Sequence, residues 1–550
     1  MGDIGVMNSL RFVVAGVIPF FCIFTATILQ YKIIFALGGM VNHTLADGEI
    51  KSDNGSYANT EDGKTCVLKT KVANQKLYDD GPFKWNPGVE GMVVSAGLFG
   101  CMAGMVVALF IYDTLDSRLI VSVTFGISGA LTIATPLVSE AAKGNPESWL
   151  IVSATEFLVC AFSSILTPEI PTLINNWFLA KEFYLVTNVV LMGLDSGRIM
   201  FTLTGAIVGS MGWQWMFHLP GILSILVGVT FYIFVTREPV DNIFLSEEEK
   251  VLLATEKGKP YTSEVELNKE KEKNPTCATQ TSQCFKKVLK FKRDMKFFNR
   301  QTTTYSRPWG KIVRTPMVWL SIMQQTSQTW IMSMTIYMNK DFLEEIHGYS
   351  VEEAAMMVSL PTNLMNILVY ITSGHLADFL VSKNVAKIRI RQMGVIIQIL
   401  SVVPTFAMPF LPCKIMSYRA FTVFVHVWSS LRIIGTLAGY ASFNDISPTF
   451  QGTLVTMSYF SQNSLPGLLI SFLKGVFGFT PVSAWQKNYA INCSGIITLA
   501  LLYLIFLDTT TADWEPNRTR KVRASNLSIE ISSHSKTSYL YCLNFLSSLV

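Results

Sequence analysis

Charge is scarce in this chain. Only 15% of its 550 residues are Asp, Glu, Lys or Arg, against about 25% in soluble domains, while 50% are hydrophobic and mean hydropathy is +0.37. That balance excludes an ordinary soluble fold and points to a membrane protein. The net charge of +5 is small and concentrated in a few segments, which argues against nucleic-acid binding and for a sided membrane topology. Nine cysteines show no CxxC or CxxxC spacing, so neither a zinc site nor a redox pair is indicated, and six unclustered histidines give no metal signature. There is no Walker stretch to support ATP drive. No Ser/His/Asp or paired-carboxylate set falls at one membrane depth, so neither an enzyme nor a cofactor is expected. A cleavable signal peptide is not expected either, because Arg11 precedes a run too long for an h-region and no small-residue cleavage site follows.

What the chain has instead is long apolar runs. Twelve of roughly 20 residues, the length that crosses a ~30 Å hydrocarbon core, fall near 12–40, 88–112, 118–138, 149–176, 183–211, 214–236, 316–340, 351–376, 386–407, 417–441, 449–476 and 484–508. Without water to pair backbone groups these must be helices. The pattern is bipartite: an N-terminal six-helix half over 1–236 containing a loop at 41–87, a basic linker over 237–315, a second six-helix half over 316–508, and a polar tail over 509–550.

Lysine and arginine set the orientation. Between Phe285 and Arg314 there are ten basic residues and one acid, Asp294; Lys383, Lys387, Arg389 and Arg391 follow the eighth span, while "SMGWQW" between spans five and six has none. Both termini and the linker are therefore expected in the cytoplasm, and residues 41–87 in the lumen or outside the cell. That loop holds two glycosylation sequons, at Asn42 and Asn54, of which Asn54 stands farther from the membrane and is the better acceptor. Cys66 in the loop and Cys413 between spans nine and ten could form a bridge. The stretch "CFKKVLKFKRDMKFF" reads as a solvated basic linker or as an amphipathic helix on the inner leaflet.

Six spans, a polar interval and six more outline a major facilitator superfamily transporter. Gly374-His375-Leu376-Ala377-Asp378 followed by "FLVSK" resembles that superfamily's loop motif, in which an aspartate (here Asp378) meets basic residues of a neighbouring helix. The first-half counterpart "IYDTLDSRL" keeps Asp116 and Arg118 but lacks the glycine. Further pieces resemble the anion/cation symporter branch, which includes vesicular glutamate transporters, sialin and type I sodium–phosphate cotransporters. They are Pro168 with Trp177 and Glu182, Gly193 and Gly197, Gly212-Trp213, "REPVDNIFLSEEEK", "RPWGKIVRTPMVW", Trp330, "FLEEIHGYS" and "NDISP", spread over residues 83–510. The resemblance implies an all-α membrane protein of twelve transmembrane helices in two six-helix halves. It also implies a secondary transporter of a small organic or inorganic anion (phosphate, carboxylate, acidic amino acid or sugar), coupled to H+ or Na+, acting as a monomer in a plasma, vesicular or lysosomal membrane.

The branch's charged residues do not carry over. Its first-helix arginine falls at Gln30, with Lys32 two residues later; its second-helix histidine falls at Val94; its fourth-helix arginine falls at Glu156 and its coupling glutamate at Ser163; its seventh-helix arginine falls at Gln328. A carrier of zwitterions or cations, or a transport-inactive membrane receptor or sensor, therefore stays open beside the anion carrier.

An ionised side chain at the bilayer centre costs about 2.5–3.5 kcal/mol on insertion scales, so each one present needs a reason. Asp195 and Arg198 stand at i,i+3 and can pair, either as a staple to a neighbouring helix or as a gating or binding element. Glu156 is a proton carrier, an acceptor for a cationic group, a partner for Lys32, or a hydrated acid near the outer headgroups. Lys32 either faces the cavity or snorkels to the interface. Arg432, among the apolar and small residues of "VHVWSSLRIIGTLAGYA", is an anion clamp or a structural partner near an inner gate, and His426 is expected to be a satisfied core histidine. Trp213 and Trp215 fit an interfacial belt, and Pro361 should sit inside the eighth helix.

Overall fold

The computed structural model describes residues 10–41, 81–112, 116–143, 145, 147–179, 182–256, 307–347, 351–411, 419–477 and 482–516. Asn42, Asn54, Cys66, Cys413, the basic stretch at 284–298 and the tail beyond Pro516 lie outside them.

Twelve long helices follow the apolar runs. The first half contains α1 (10–40), α2 (Pro87–Ile111), α3 (Ser117–Ala141), α4 (Ser148–Trp177, with a turn at 165–168), α5 (Phe183–Met211) and α6 (Trp215–Phe234). The second contains α7 (316–347), α8 (Val351–Ser382), α9 (Lys387–Phe410), α10 (Arg419–Ile446), α11 (Gln451–Phe477) and α12 (Val482–Phe506). Among the described residues, nine helices are long and apolar enough to cross a membrane, and α7 and α11 are not among them. These two carry Gln324, Gln325 and Gln328, then Ser458, Gln462 and Asn463, and most of those side chains are buried inside the bundle rather than set toward lipid.

Sharp starts and close crossings position the helices. Asn86 caps α2 by accepting from the Val89 amide at 2.9 Å, with Pro87 at the first helical position. Asp116 does the same for α3 through the Arg118 amide at 3.0 Å. Gly193 and Gly197, four residues apart, let α5 touch α1: a Cβ at Gly193 would stand 2.6 Å from the Phe20 carbonyl oxygen. The loop after α1 closes where Phe83 donates its amide to the Met40 carbonyl at 3.0 Å. Phe83 and Trp85 then cover that end of the first half and bury Trp213, whose ring meets Phe83 at 6.2 Å and Phe217 at 5.9 Å. Trp213 is thus a core residue and not the interfacial belt residue expected, because the returning loop shields it.

The two halves meet differently at their two ends. At the end bearing the linker, one apolar cluster draws on both halves: Ile170, Trp177 and Tyr184 pack with Ala377, Leu437 and Ala441. Asp378 accepts from the Tyr184 amide at 3.2 Å and the Leu185 amide at 2.9 Å, so its partners include the opening turn of α5. Asn188 of α5 donates to the Tyr370 carbonyl and to Ser373 Oγ, each at 3.0 Å, and Asn175 reaches the Pro448 carbonyl at 3.3 Å. Arg391, counted above as a topology charge, is buried: it donates to Tyr184 Oη and the Leu437 carbonyl at 2.7 Å and to Asp445 at 2.7 Å, while Lys387 takes Asp445's other oxygen at 2.8 Å. Residues 508–516 fold back beneath this end. Trp514 Nε1 donates to Thr315 Oγ1 at 2.9 Å, and the buried Glu515 carboxylate receives the Ser447 and Thr449 hydroxyls.

At the opposite end each half keeps its own apolar cluster, Phe83, Trp85 and Phe217 in the first and Trp330, Phe342, Trp485 and Tyr489 in the second. The structure is therefore a linker-end-sealed state. Gly452 is central to the seal, since a Cβ there would stand 2.3 Å from the Pro168 carbonyl of the other half. Gly452→Ala should cost the sealed state about 1–3 kcal/mol by overpacking. Spin labels at Ile243 and Lys383, both exposed at this end, should then move to longer separations. An unchanged distance distribution would show that the seal does not rest on this contact.

Candidate functional site

Among the described residues, Lys32, Glu156, Asp195, Arg198 and Arg432 are buried or largely buried charged candidates within the helices, and the first four form two pairs. Lys32 on α1 meets Glu156 on α4 at 2.8 Å, and neither side chain has any exposed surface. The Lys32 ammonium also donates to the Leu29 carbonyl at 3.0 Å and lies 5.6 Å from the Phe217 ring centre. Lys32 therefore does not snorkel and Glu156 is not hydrated at the headgroups; each is the other's reason for being buried. Removing two charges from water costs several kcal/mol per ion, recovered only by tight pairing.

Asp195 and Arg198 pair along one face of α5, Nη1 to Oδ1 at 2.9 Å, and the same Oδ1 accepts from Asn366 Nδ2 of α8 at 2.9 Å. The pair is thus a bridge from the first half to the second. The Arg198 guanidinium also stands over the Tyr31 ring of α1 at 5.6 Å.

Arg432 is the remainder. It sits in the 3-10 segment Ser430–Gly435 within α10, is 3% exposed, and its Nε is buried without an acceptor. Among the described residues no carboxylate or carbonyl pairs with it. Its charge lies within electrostatic reach of Asp195, Arg198 and Tyr370, so it faces the opposite half at the depth of the α5 pair. Tyrosines complete the surroundings: Tyr370 on α8 neighbours Tyr459 on α11, whose ring meets that of Tyr440 on α10 edge to face at 6.1 Å. Among the described residues, the buried acceptors Asp195 Oδ2 and Asn366 Oδ1 of this layer have no donor, and neither has Gln328 Oε1 on α7. Unmet polar atoms of this kind mark places where water or a ligand belongs.

The candidate residues thus separate. Asp195, Arg198 and Arg432 come together at mid-depth where the halves meet; Lys32 and Glu156 form their own pair within the first half; Gln328 is buried on α7 with its acceptor free. His426 is satisfied as expected. Nδ1 meets the Thr422 carbonyl at 2.7 Å and so carries the proton, leaving Nε2 to accept from Asn339 at 3.1 Å, while Asn339 takes the Tyr489 hydroxyl at 2.9 Å. Outside the spans, Asp241, on the exposed surface, lies near Glu238, Asp116 and Arg118. Desolvation and the Glu238 charge push its carboxyl above the usual range, and Arg118 opposes them.

Sequence reasoning missed Asn366, Tyr31, Tyr370 and Tyr459. A signal existed, since a mid-span tyrosine in place of phenylalanine, or an asparagine in an apolar helix, carries a polar group that must be met. The signal does not say which helix supplies the partner.

Two helical bundles with a charged, partly unsatisfied layer between them at mid-depth are the architecture of membrane carriers. The chain belongs to the Major Facilitator Superfamily, whose model matches residues 19–468. It is 20% identical over 501 residues to a probable small intestine urate exporter of Mus musculus, covering 90% of each chain. It is 18% identical to sodium-dependent phosphate transport protein 1 of Mus musculus over 78% of this chain and 83% of that one. Vesicular glutamate transporter 2.2 of Danio rerio is 23% identical over 306 residues, covering 55% of this chain and 45% of that protein. These relatives lie in the branch that the motifs resemble, and they are transporters rather than enzymes. Among solved structures, the proton:xylose symporter XylE aligns with a TM-score of 0.53 at 13% identity, over 89% of this chain and 95% of that one, a likeness of fold alone.

The two-centre burial of Lys32 and Glu156 gives a stability test. Lys32→Met or Glu156→Gln alone should destabilise the protein by about 3 kcal/mol, because each strands a buried partner, and the double variant should recover much of that. Melting temperatures of the detergent-purified proteins measure it. Additive losses would show that the two side chains do not depend on each other.

Proposed function

We propose that this protein carries a small anion across its membrane by alternating access between the two halves, with Arg432 holding the substrate's charge. The observation that carries the reading is the unpaired guanidinium at mid-depth between the halves. A lone arginine there is costly unless an anion or water compensates it, and its planar fork suits carboxylate, phosphate or a deprotonated ring. The names of the relatives, urate exporter, phosphate transport protein and glutamate transporter, support the same class. Glu156 had been the reason to consider a cation carrier, and its commitment to Lys32 removes that reason.

In this reading residues 1–236 and 316–508 are the moving halves, 237–315 the cytoplasmic linker and 509–550 a cytoplasmic tail. Asn42 and Asn54 then lie in the lumenal or extracellular loop. The linker end faces the cytoplasm by the positive-inside pattern, so the sealed state described above opens to the lumen or exterior. Coupling to H+ or Na+ supplies the driving force, and the membrane is a plasma, vesicular or lysosomal one. Arg198, held by Asp195 and facing Tyr31, lines the first-half wall, and Gln328 offers a neutral acceptor from α7.

Uptake of radiolabelled urate, glutamate and phosphate into proteoliposomes, with imposed pH, sodium and voltage gradients, tests this. At least one probe should accumulate, Arg432→Gln should bring its uptake to background, and Arg432→Lys should keep a minor fraction. Uptake unaffected by Arg432→Gln in folded protein would remove Arg432 from the site.

A further inference from the structure

We infer that Asp195 sets the charge selectivity of this site, restricting it to singly charged anions. The inference rests on Arg432 being the anion anchor. Two arginines from opposite halves, Arg198 and Arg432, come within electrostatic reach of each other, and Asp195 lies within reach of both. It is 1% exposed, takes Arg198 Nη1 and Asn366 Nδ2 on Oδ1, and leaves Oδ2 without a partner. The charges at this depth therefore sum to plus one. Lys32 and Glu156 cancel each other, while Glu169, near Arg237 and Asp116, and the Arg391–Asp445 pair stand toward the linker end and do not belong to this layer.

A monoanion brings the layer to neutrality. A dianion leaves one negative charge uncompensated in a low-dielectric setting, where a surplus charge is most costly. Asp195 acts as the molecule's own counter-anion: it occupies the second arginine so that substrate does not need to. Hydrogen bonding alone would not produce this selectivity, since Arg198 and Arg432 together could hold two carboxylates or both charges of a phosphate. Removing the Asp195 charge raises the sum to plus two, removing the Arg198 charge lowers it to zero, and removing both restores plus one with the local geometry changed twice.

A matched pair of competitors reads the sum directly. Succinate carries two charges at neutral pH, and its monomethyl ester carries one on the same skeleton. Each is titrated against proteoliposome uptake of whichever of urate, glutamate or phosphate the protein accumulates. In the wild type the monoester should compete about tenfold better than succinate, a ratio worth ~1.4 kcal/mol. Asp195→Asn should abolish or reverse that ratio, Arg198→Gln should weaken both competitors, and the double variant should recover the wild-type preference. Should Asp195→Asn fail to fold, Asp195→Ser removes the same charge with a smaller side chain and decides in its place. Arg432-dependent uptake with no monoester preference, or with a preference unchanged in Asp195→Asn, overturns the role of Asp195 and leaves the carrier intact. No Arg432-dependent uptake of any probe by folded protein overturns the carrier reading and this inference together.

Discussion

A charge taken into a bilayer must be matched there, and this molecule is organised around that requirement. Lys32 and Glu156 meet it within the first half. Asp195 and Arg198 meet it on one helix and then recruit Asn366 across the seam. Among the described residues Arg432 has no such partner, and it stands where the two halves face each other. The same rule explains the polar side chains of α7 and α11, which are tolerated because protein, not lipid, surrounds them.

Pairing also changes what a charged residue means. Glu156 stands where the related branch has an arginine, and by position alone it suggests inverted substrate charge. With Lys32 against it at 2.8 Å, the site instead loses both charges, and the first half contributes no net field through that pair. In the proposed reading the substrate's charge falls to α10, a helix whose arginine belongs to none of the motifs by which the branch is recognised. A scaffold can thus keep its fold and its moving parts while the charged centre migrates from one helix to another.

The helical architecture was legible in the sequence because one constraint, the satisfaction of backbone groups in hydrocarbon, dictates it run by run. The site was only half legible. Arg432 stood out because nothing apolar explains a guanidinium, and the Asp195–Arg198 pair because i,i+3 spacing is local. Lys32 and Glu156 lie 124 positions apart, and only the packing of α1 on α4 shows which of several readings holds. Arg391 shows the opposite failure. Among Lys383, Lys387 and Arg389 it looked like one more inward-facing topology charge, yet it is buried against Asp445, Tyr184 and the Leu437 carbonyl. Glu515 was equally hidden, since its partners Ser447 and Thr449 lie far back in the chain and its own neighbourhood reads as tail.

Site and seal share the α5–α8 seam. Along it, in order, stand the Asp195–Asn366 bond, the Asn188 bonds to Tyr370 and Ser373, and the Asp378 bonds to the first amides of α5, with Arg391 on Tyr184 just beyond. Each such hydrogen bond is worth about 1 kcal/mol net, somewhat more where one partner is charged. The seal is therefore a sum of modest terms, large enough together to hold one arrangement and small enough singly to exchange for contacts at the other end. In the proposed reading an anion arriving at Arg432 would change the field at Asp195, the upper member of that same row. Binding and opening would then be linked along this row of contacts, and a ligand moves the equilibrium only by as much as its affinity differs between the two arrangements.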